Sequence, residues 1–506
     1  MPALIDIIPQ GTRVDRHRPW PRLIVTPDAW RHAASEIAAG RATLLGLWGD
    51  AAAAPVVHMA MIQDSTGEIA VISLACPDGT FPSVGALHPP AIRLERAIYS
   101  LYGLEPAGAP DTRPWLDLGF WDVQHPLGAR TPAPAARPAY AFLPVEGESL
   151  HQIPVGPVHA GIIEPGHFRF TASGETVVRL EERLGYAHKG IESLMAGATI
   201  EKAARLAART SGDSTVAYGL AFAHAVEAAL HVQAPPRARY LRALMAELER
   251  LANHFGDIGA ICNDASFSLM HAHCGILREQ VLRAADTCFG HRLMMDRVVP
   301  GGVAVDLRPD GATRIRDALQ HIRQRFPQLV ELYDNTASLQ DRTVGTGVVR
   351  PELARQFAAP GYIGRASGRN FDARKTPGYA PYDELDFVVP VLTAGDVNAR
   401  VWIRIRETEQ SLELIEHFLA RLPDGPIATI LGGDSSGGEG LGLVEGFRGD
   451  VLVWVRLDGV HVERCHLRDP SWFQWPLLEA AIEDNIVADF PLCNKSFNCS
   501  YSGHDV

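Results

Sequence analysis

Two long apolar stripes limit most strongly how this chain folds. Tyr240, Leu241, Leu244, Leu248, Leu251 and Phe255 recur every three or four residues after Pro235-Pro236. Val401, Ile405, Thr408, Leu412, Ile415 and Leu419 keep the same spacing much later in the chain. A 3.6-residue period sustained over several turns specifies amphipathic helices that must bury one face, and a proline pair suits a helix start. Arg406, Glu407, Glu409, Glu413 and Glu416 fall between the apolar positions of the second stripe. Long helices with short links predict a bundle.

The rest of the chain alternates with strand-like runs. Residues 42–49, 56–63 and 69–74 are short and apolar, and Leu94, Ile98 and Leu101 follow Pro89-Pro90 at helical spacing. Residues 1–125 therefore read as a small α/β domain. The Pro/Ala-rich stretch PLGARTPAPAARP at 126–138 has little to bury, so 126–148 reads as a linker. Residues 149–506 form the second domain. Residues 155–163 and 168–180 read as strands with a turn at Ser173-Gly174, and 427–431 and 449–456 as later strands. The glycine-rich run at 432–440 has neither the spacing nor the setting of a dinucleotide loop and reads as a flexible surface loop. The expected class is α+β: the small N-terminal domain, then a large domain with a central helical bundle flanked by β-structure.

Lys plus Arg number 47 against 59 Asp plus Glu, a net charge of -12. That balance excludes a general nucleic-acid surface. Seven scattered cysteines make no disulfide framework and point to a reducing compartment. No secretory signal and no run of ~20 apolar residues is present. The expected location is cytoplasmic, with membrane contact made through partners.

Two short segments carry the chemistry. Arg209-Thr210-Ser211-Gly212-Asp213-Ser214 and Cys499-Ser500-Tyr501-Ser502 are each spaced like half of a four-thiolate site in which most sulfur is missing. Thiolates favour nickel, iron and zinc; a serine hydroxyl stays protonated at neutral pH and binds soft metals poorly. Cys493 with Cys499, and His271, His273 and Cys274, look like soft-ligand clusters, but buried cysteines and ordinary histidines give the same pattern. Neither cluster, nor the chain as a whole, offers a full ligand set for a metal or an iron–sulfur cluster.

Residues 93–121 (RLERAIYSLYGLEPAGAPDTRPWLDLGFW) resemble the 30 kDa subunit of respiratory complex I. Residues 156–192, 247–259 and 364–412 resemble its 49 kDa subunit, and look closer still to large subunits of membrane-bound group 4 nickel-iron hydrogenases of the formate hydrogenlyase type. That type also fuses the two parts in one chain.

The resemblance implies an oxidoreductase subunit of a complex I-like, NADH-quinone or hydrogenase-type assembly. Its partners would be a small iron–sulfur subunit and membrane-arm proteins, including antiporter-like ones, with this chain on the cytoplasmic face of the membrane. It maps Ser211, Ser214, Cys499 and Ser502 onto the nickel-iron ligands after a small shift before Cys499; without the shift, Ser500 and Gly503 take the last two places. In either register too few thiolates remain for a nickel-iron centre. Arg209 matches the motif arginine, and Glu164 a glutamate that moves protons near the metal, though Glu164-Pro165-Gly166 also reads as a turn. His159 matches a histidine that faces the quinone head group in complex I, and a solvent-facing loop histidine fits equally. Gly212 falls where complex I has its quinone tyrosine. Glu164, His159 and Arg209 are thus the catalytic candidates, and quinone the candidate ligand; no cofactor bound tightly by this chain itself is expected. A non-catalytic subunit that docks the iron–sulfur protein on the membrane arm is the alternative, and an active hydrogenase the last. His504 resembles the residue closing the hydrogenase motif; the two residues after it fit a protein that needs no removal of an extension, or a frayed tail.

Overall fold

In the computed structural model, the described residues are 4, 11–51, 54–117, 119–129, 131–132, 140–158, 163–432 and 437–506. The class is α+β. The strands used below are β1 (Gly11–Arg13), β2 (His17–Arg18), β3 (Arg22–Val25), β4 (Thr43–Asp50), β5 (Val56–Gln63), β6 (Glu68–Ala75), β7 (Leu150–Val155), β8 (His167–Ser173), β9 (Thr176–Arg183), β10 (Glu439–Glu445), β11 (Asp450–Asp458) and β12 (His461–Arg468). The helices are α1 (Pro27–Ala38), α2 (Ile92–Tyr102), α3 (Thr215–Leu230), α4 (Pro236–Asp264), α5 (Ser268–Phe289), α6 (Gly311–Asn335), α7 (Val397–Arg421) and α8 (Ser471–Ala481).

Both apolar stripes are helices, α4 and α7, and they pack on each other with α5 and α6. Leu241, Leu244, Leu248, Leu251, Phe255, Val401, Ile405, Leu412 and Ile415 share one core. A fully buried leucine or phenylalanine there contributes roughly 1.5–3 kcal/mol. The charged residues of α7 divide: Arg404 and Glu407 are buried, while Arg406 and Glu409 are exposed.

The N-terminal sheet runs β1-β3-β6-β5-β4, with only β3 and β6 parallel. A second sheet runs β12-β11-β10-β2, so a strand from the start of the chain completes a sheet made near its end. The two sheets pack face to face: Leu45, Trp48, Ile62 and Val71 meet Leu441, Leu443, Leu452 and Trp454. Trp115 and Leu116, from the 93–121 block, share a core with β8, β9, α8 and Tyr501. No helix among the described residues is long and apolar enough to cross a membrane.

The glycine-rich run ends differently from the surface loop expected. Residues 433–436 lie outside the described residues, but Gly438 and Gly440 lead into buried β10, where side chains alternate between two faces. Leu441 and Leu443 face the N-terminal sheet. On the other face, a Cβ on Gly438, Gly440 or Gly442 would lie 2.2, 1.8 or 2.2 Å from the carbonyl oxygens of Ala229, Ala225 and Ala221 on α3. Only glycine lets strand and helix backbones come this close.

Three other readings change. Of the strand expected at 155–163 only Val155 is in a strand among the described residues, as the last residue of β7, because Gly156 takes φ 80° and Pro157 has no N–H to donate; residues 159–162 lie outside the described residues. Residues 427–431 form no strand, only a bridge in which Val303 donates to Ile427 and Thr429 to Gly301. Pro423 and Pro426 precede that segment, and Ile430 is 89% exposed. The Pro/Ala-rich stretch starts packed: Leu127 is buried and Gly128 lies against the Tyr102 carbonyl.

Gly440→Ala should lower the unfolding free energy by about 3 kcal/mol, the scale of overpacking a tight contact. Gly432→Ala, with no atom within 4 Å of its Cβ position, should leave it unchanged in the same denaturant titration.

Candidate functional site

The residues around Ser211 and those around Ser500 meet at the N-terminal end of α3. Ser211 is 3% and Ser500 5% exposed, and their Oγ atoms lie 3.0 Å apart. Ser211 donates to Asp213 Oδ1 at 2.7 Å, which leaves Ser500 to donate in the serine pair. Ser500 Oγ also accepts from the Gly503 amide at 2.9 Å and lies 3.4 Å from Ser502 Oγ. Ser502 is half-buried and Gly212 exposed, so the cluster opens there.

Arg448 supplies the charge. It sits in the turn between β10 and β11 and pairs through both terminal nitrogens with Asp213; one of them also donates to Ser214 Oγ at 3.0 Å. Burial works to raise Asp213, but the Arg448 guanidinium and the Ser211 bond overcome it and hold the carboxyl down to about 2. Behind the serines, Tyr218 donates to Asp469 at 2.6 Å, and a Cβ on Gly503 would lie 2.4 Å from Asp469 Oδ2. Glycine at 503 is thus fixed by space.

The tail is anchored, contrary to the frayed reading. His504 is fully buried; its Nδ1 bonds Asp505 at 2.9 Å and its Nε2 accepts from Trp115 Nε1 at 3.2 Å. Burial lowers its pKa, so the ring is neutral. Trp472 stacks on it at 4.0 Å. Asp505 accepts from the amides of Gly185 and Ala187.

The candidates from sequence separate. Ser211 and Ser214 lie in the site. In the C-terminal segment Ser500 meets Ser211 and accepts from the Gly503 amide, while Ser502 lies at the edge of the cluster. Cys499 is buried next to the cluster, its thiol pushed far up by burial. Cys493 is raised to about 11 and Cys274 to about 12, both by burial, so these thiols stay protonated. All seven cysteines are free and buried, and no three His, Cys, Asp or Glu residues among those described group as metal ligands. Arg209 points elsewhere, forming a two-pronged pair with Asp296 at 2.6 Å. Glu164 is partly exposed; its charge acts on Lys189 and Tyr501 beside the site. His159 lies outside the described residues. Asp213, Arg448, Asp469 and Tyr218 were not foreseen, although Asp213 stands inside the quoted hexapeptide, and the Glu445–Gly449 turn between two apolar runs was a usable signal for Arg448.

The donor set does not suit a nickel-iron centre. In the unshifted register the four positions offer three neutral hydroxyls and one hydrogen, where the metal pair needs thiolates. An internal Asp213–Arg448 pair already satisfies the nearest charges.

The order of blocks, the fused sheets and this site define a complex I 30/49 kDa-type subunit carried on one chain. Residues 23–137 match the family described as the 30 kDa subunit of respiratory-chain NADH dehydrogenase, and residues 267–431 the 49 kDa subunit. Formate hydrogenlyase subunit 5 of Escherichia coli is 31% identical over 84% of this chain and 77% of its own length. A D-type NADH-quinone oxidoreductase subunit of Syntrophobacter fumaroxidans is 31% identical over 69% of this chain and 94% of its own. A fused C/D-type NADH-quinone oxidoreductase subunit of Phocaeicola vulgatus is 27% identical over 81% and 84%. The chain belongs to this family of complex I-like and hydrogenase-type oxidoreductase subunits.

A depressed carboxyl stabilises above its unfolded pKa of 3.8 and loses that contribution as pH falls through about 2. Asp213→Asn should therefore cost about 1–2 kcal/mol at neutral pH, discounted for the 35% exposure of the Asp213 side chain. In paired urea titrations the cost should stay constant above about pH 5 and shrink on acidification.

Proposed function

We propose that this chain is the hydrophilic large subunit of a membrane-associated, complex I-like oxidoreductase that works without a nickel-iron centre of its own. The observation that carries this reading is the hydroxyl cluster of Ser211, Ser214 and Ser500, with Gly503, at the place where the hydrogenase relatives' motifs put thiolates. Hydrogen activation needs a metal there, whereas an electron-transfer subunit needs only a shaped polar cavity beside an electron donor.

In this reading a small iron–sulfur partner delivers electrons to the mouth at Gly212 and Ser502. Quinone is the acceptor, with His159 as hydrogen-bond donor to its oxygen and Glu164 supplying protons through the electrostatic neighbourhood it shares with Lys189 and Tyr501. Arg209, tied to Asp296, anchors the segment that carries Ser211 and Ser214 rather than touching the acceptor. Partner subunits hold the chain on the cytoplasmic face of the membrane, where electron transfer is coupled to proton movement. The alternative, a docking subunit without chemistry, is favoured by one observation: Asp213 and Arg448 satisfy each other beside the serines.

The test is inhibitor-sensitive quinone reduction by the intact membrane complex. It should be present in the wild type and fall at least tenfold in His159→Ala, with assembly unchanged. An assembled complex that reduces no quinone points to the docking role.

A further inference from the structure

The interior behind β10 holds more carboxylates than cations. Arg365, on the short helix Gly361–Ala366, bonds Glu407 of α7 at 2.7 Å and Glu445 at the end of β10 at 2.8 Å, with Asp372 at 3.7 Å. Arg374 pairs with Asp372 at 2.7 Å and with Glu247 of α4 at 2.9 Å. Arg250 lies 3.4 Å from Glu247 and 3.9 Å from Glu407. Each of these side chains is at most 2% exposed. The network thus contains Arg250, Arg365 and Arg374 against Glu247, Asp372, Glu407 and Glu445. His254, bonded to Glu407 at 2.8 Å, adds no charge, because burial lowers its pKa. Asp450, next to Glu445 on β11, is matched by its own partner Arg468 at 2.5 Å.

An uncompensated charge in such an interior costs several kcal/mol, and the ordinary remedy is to bind or lose a proton. We propose that this network takes up one exchangeable proton from water and that Glu445 holds it. Each of the other three carboxylates takes at least two bonds from side chains. Glu247 receives Arg374, Ser411 and Tyr382; Asp372 receives Arg374 through both oxygens; Glu407 receives Arg365 and His254. Glu445 takes one bond from Arg365 and one from the Ala373 amide. Burial opposes ionisation at all four. Cationic partners overcome it at Glu247, Asp372 and Glu407, whereas at Glu445 burial and the nearby Asp372 raise the carboxyl to about 7. Tyr379, half-buried, has its hydroxyl 3.3 Å from the Glu445 amide and marks the side nearest water.

The placement gives this proton a use. Glu445 and Arg448 stand at the two ends of one tight turn, and Arg448 holds Asp213 in the serine cluster. The same turn therefore carries both the proposed proton holder and the arginine of the serine cluster. In this respect the inference rests on and deepens the electron-coupled reading by naming the group that takes the proton. The proton itself is present whether or not quinone is the acceptor.

The experiment reads the proton directly on the full-length chain. Infrared spectra of the wild type, with glutamate carboxyls carbon-13 labelled, should contain, beside the bands of other buried glutamates such as Glu95 and Glu249, the carbonyl stretch of a protonated carboxyl that shifts with the label and titrates with a midpoint near 7. Glu445→Gln should remove that band. A wild-type minus Glu445→Gln difference spectrum with no labelled band titrating in this range overturns the proposal. A second readout uses stability. The folded chain binds a proton that the unfolded chain releases near 4.5, so wild-type stability falls as pH rises from 4.5 to about 7 and then levels. The unfolding midpoint of Glu445→Gln should therefore gain on the wild type from about pH 5 to about pH 8, and parallel profiles would refute the assignment. If Glu445→Gln does not fold, a Glu95→Gln/Glu249→Gln double variant decides: a labelled band must still titrate near 7 in it, and loss of every such band overturns the proposal. A complex without quinone activity that still shows the band leaves this inference intact and removes only the electron-transfer reading.

Discussion

The close contact between β10 and α3 is the constraint on which the site depends. Glycines at alternate strand positions meet alanines four apart on the helix, so two backbones touch where side chains would normally hold them apart. That contact sets where the strand ends, hence where the β10–β11 turn lies against the start of α3. Ala217 continues the helix row, and a Cβ on Gly446 would lie 3.1 Å from it. Arg448 then arrives beside Asp213 and Ser214, and Glu445 faces inward to Arg365. A strand shifted or lifted by bulky residues would part all of these at once.

Much of the fold was legible because its signals are local. The stripes of α4 and α7, the strands β4, β5, β6 and β11, and the β8–β9 hairpin with its Ser173-Gly174 turn follow from periodicity and turn chemistry. β10 did not, because its glycines mimic a loop; what makes it a strand is a helix more than 200 residues earlier in the chain. The pairing of β2 with β10 is equally long-range and has no local signature. At the site, serine spacing located Ser211 and Ser214. That Ser500 meets Ser211 is a long-range contact with no signature in either segment. Arg209 misled because a motif arginine says nothing of its partner, here Asp296.

The charged side chains behind the site show why counting charges from sequence is a poor guide. Arg404 and Glu407 lie fully inside the protein, each two residues from the exposed Arg406 and Glu409 on the opposite face of the helix. Buried pairs of this kind add little net stability over an apolar core, but they fix geometry and make any unmatched charge costly. The proposed coupling of protons to electrons rests on this site of neutral hydroxyls and the network behind it.

Everything proposed for the serine cluster requires that this scaffold hold no nickel. Iron will be present from any iron–sulfur partner, so nickel is the informative metal. Elemental analysis of the complex, purified from cells grown with nickel and washed with chelator, measures it directly. The prediction is nickel far below one atom per chain and unaltered by Ser211→Ala. One nickel per chain that survives the wash and is lost in Ser211→Ala would contradict it.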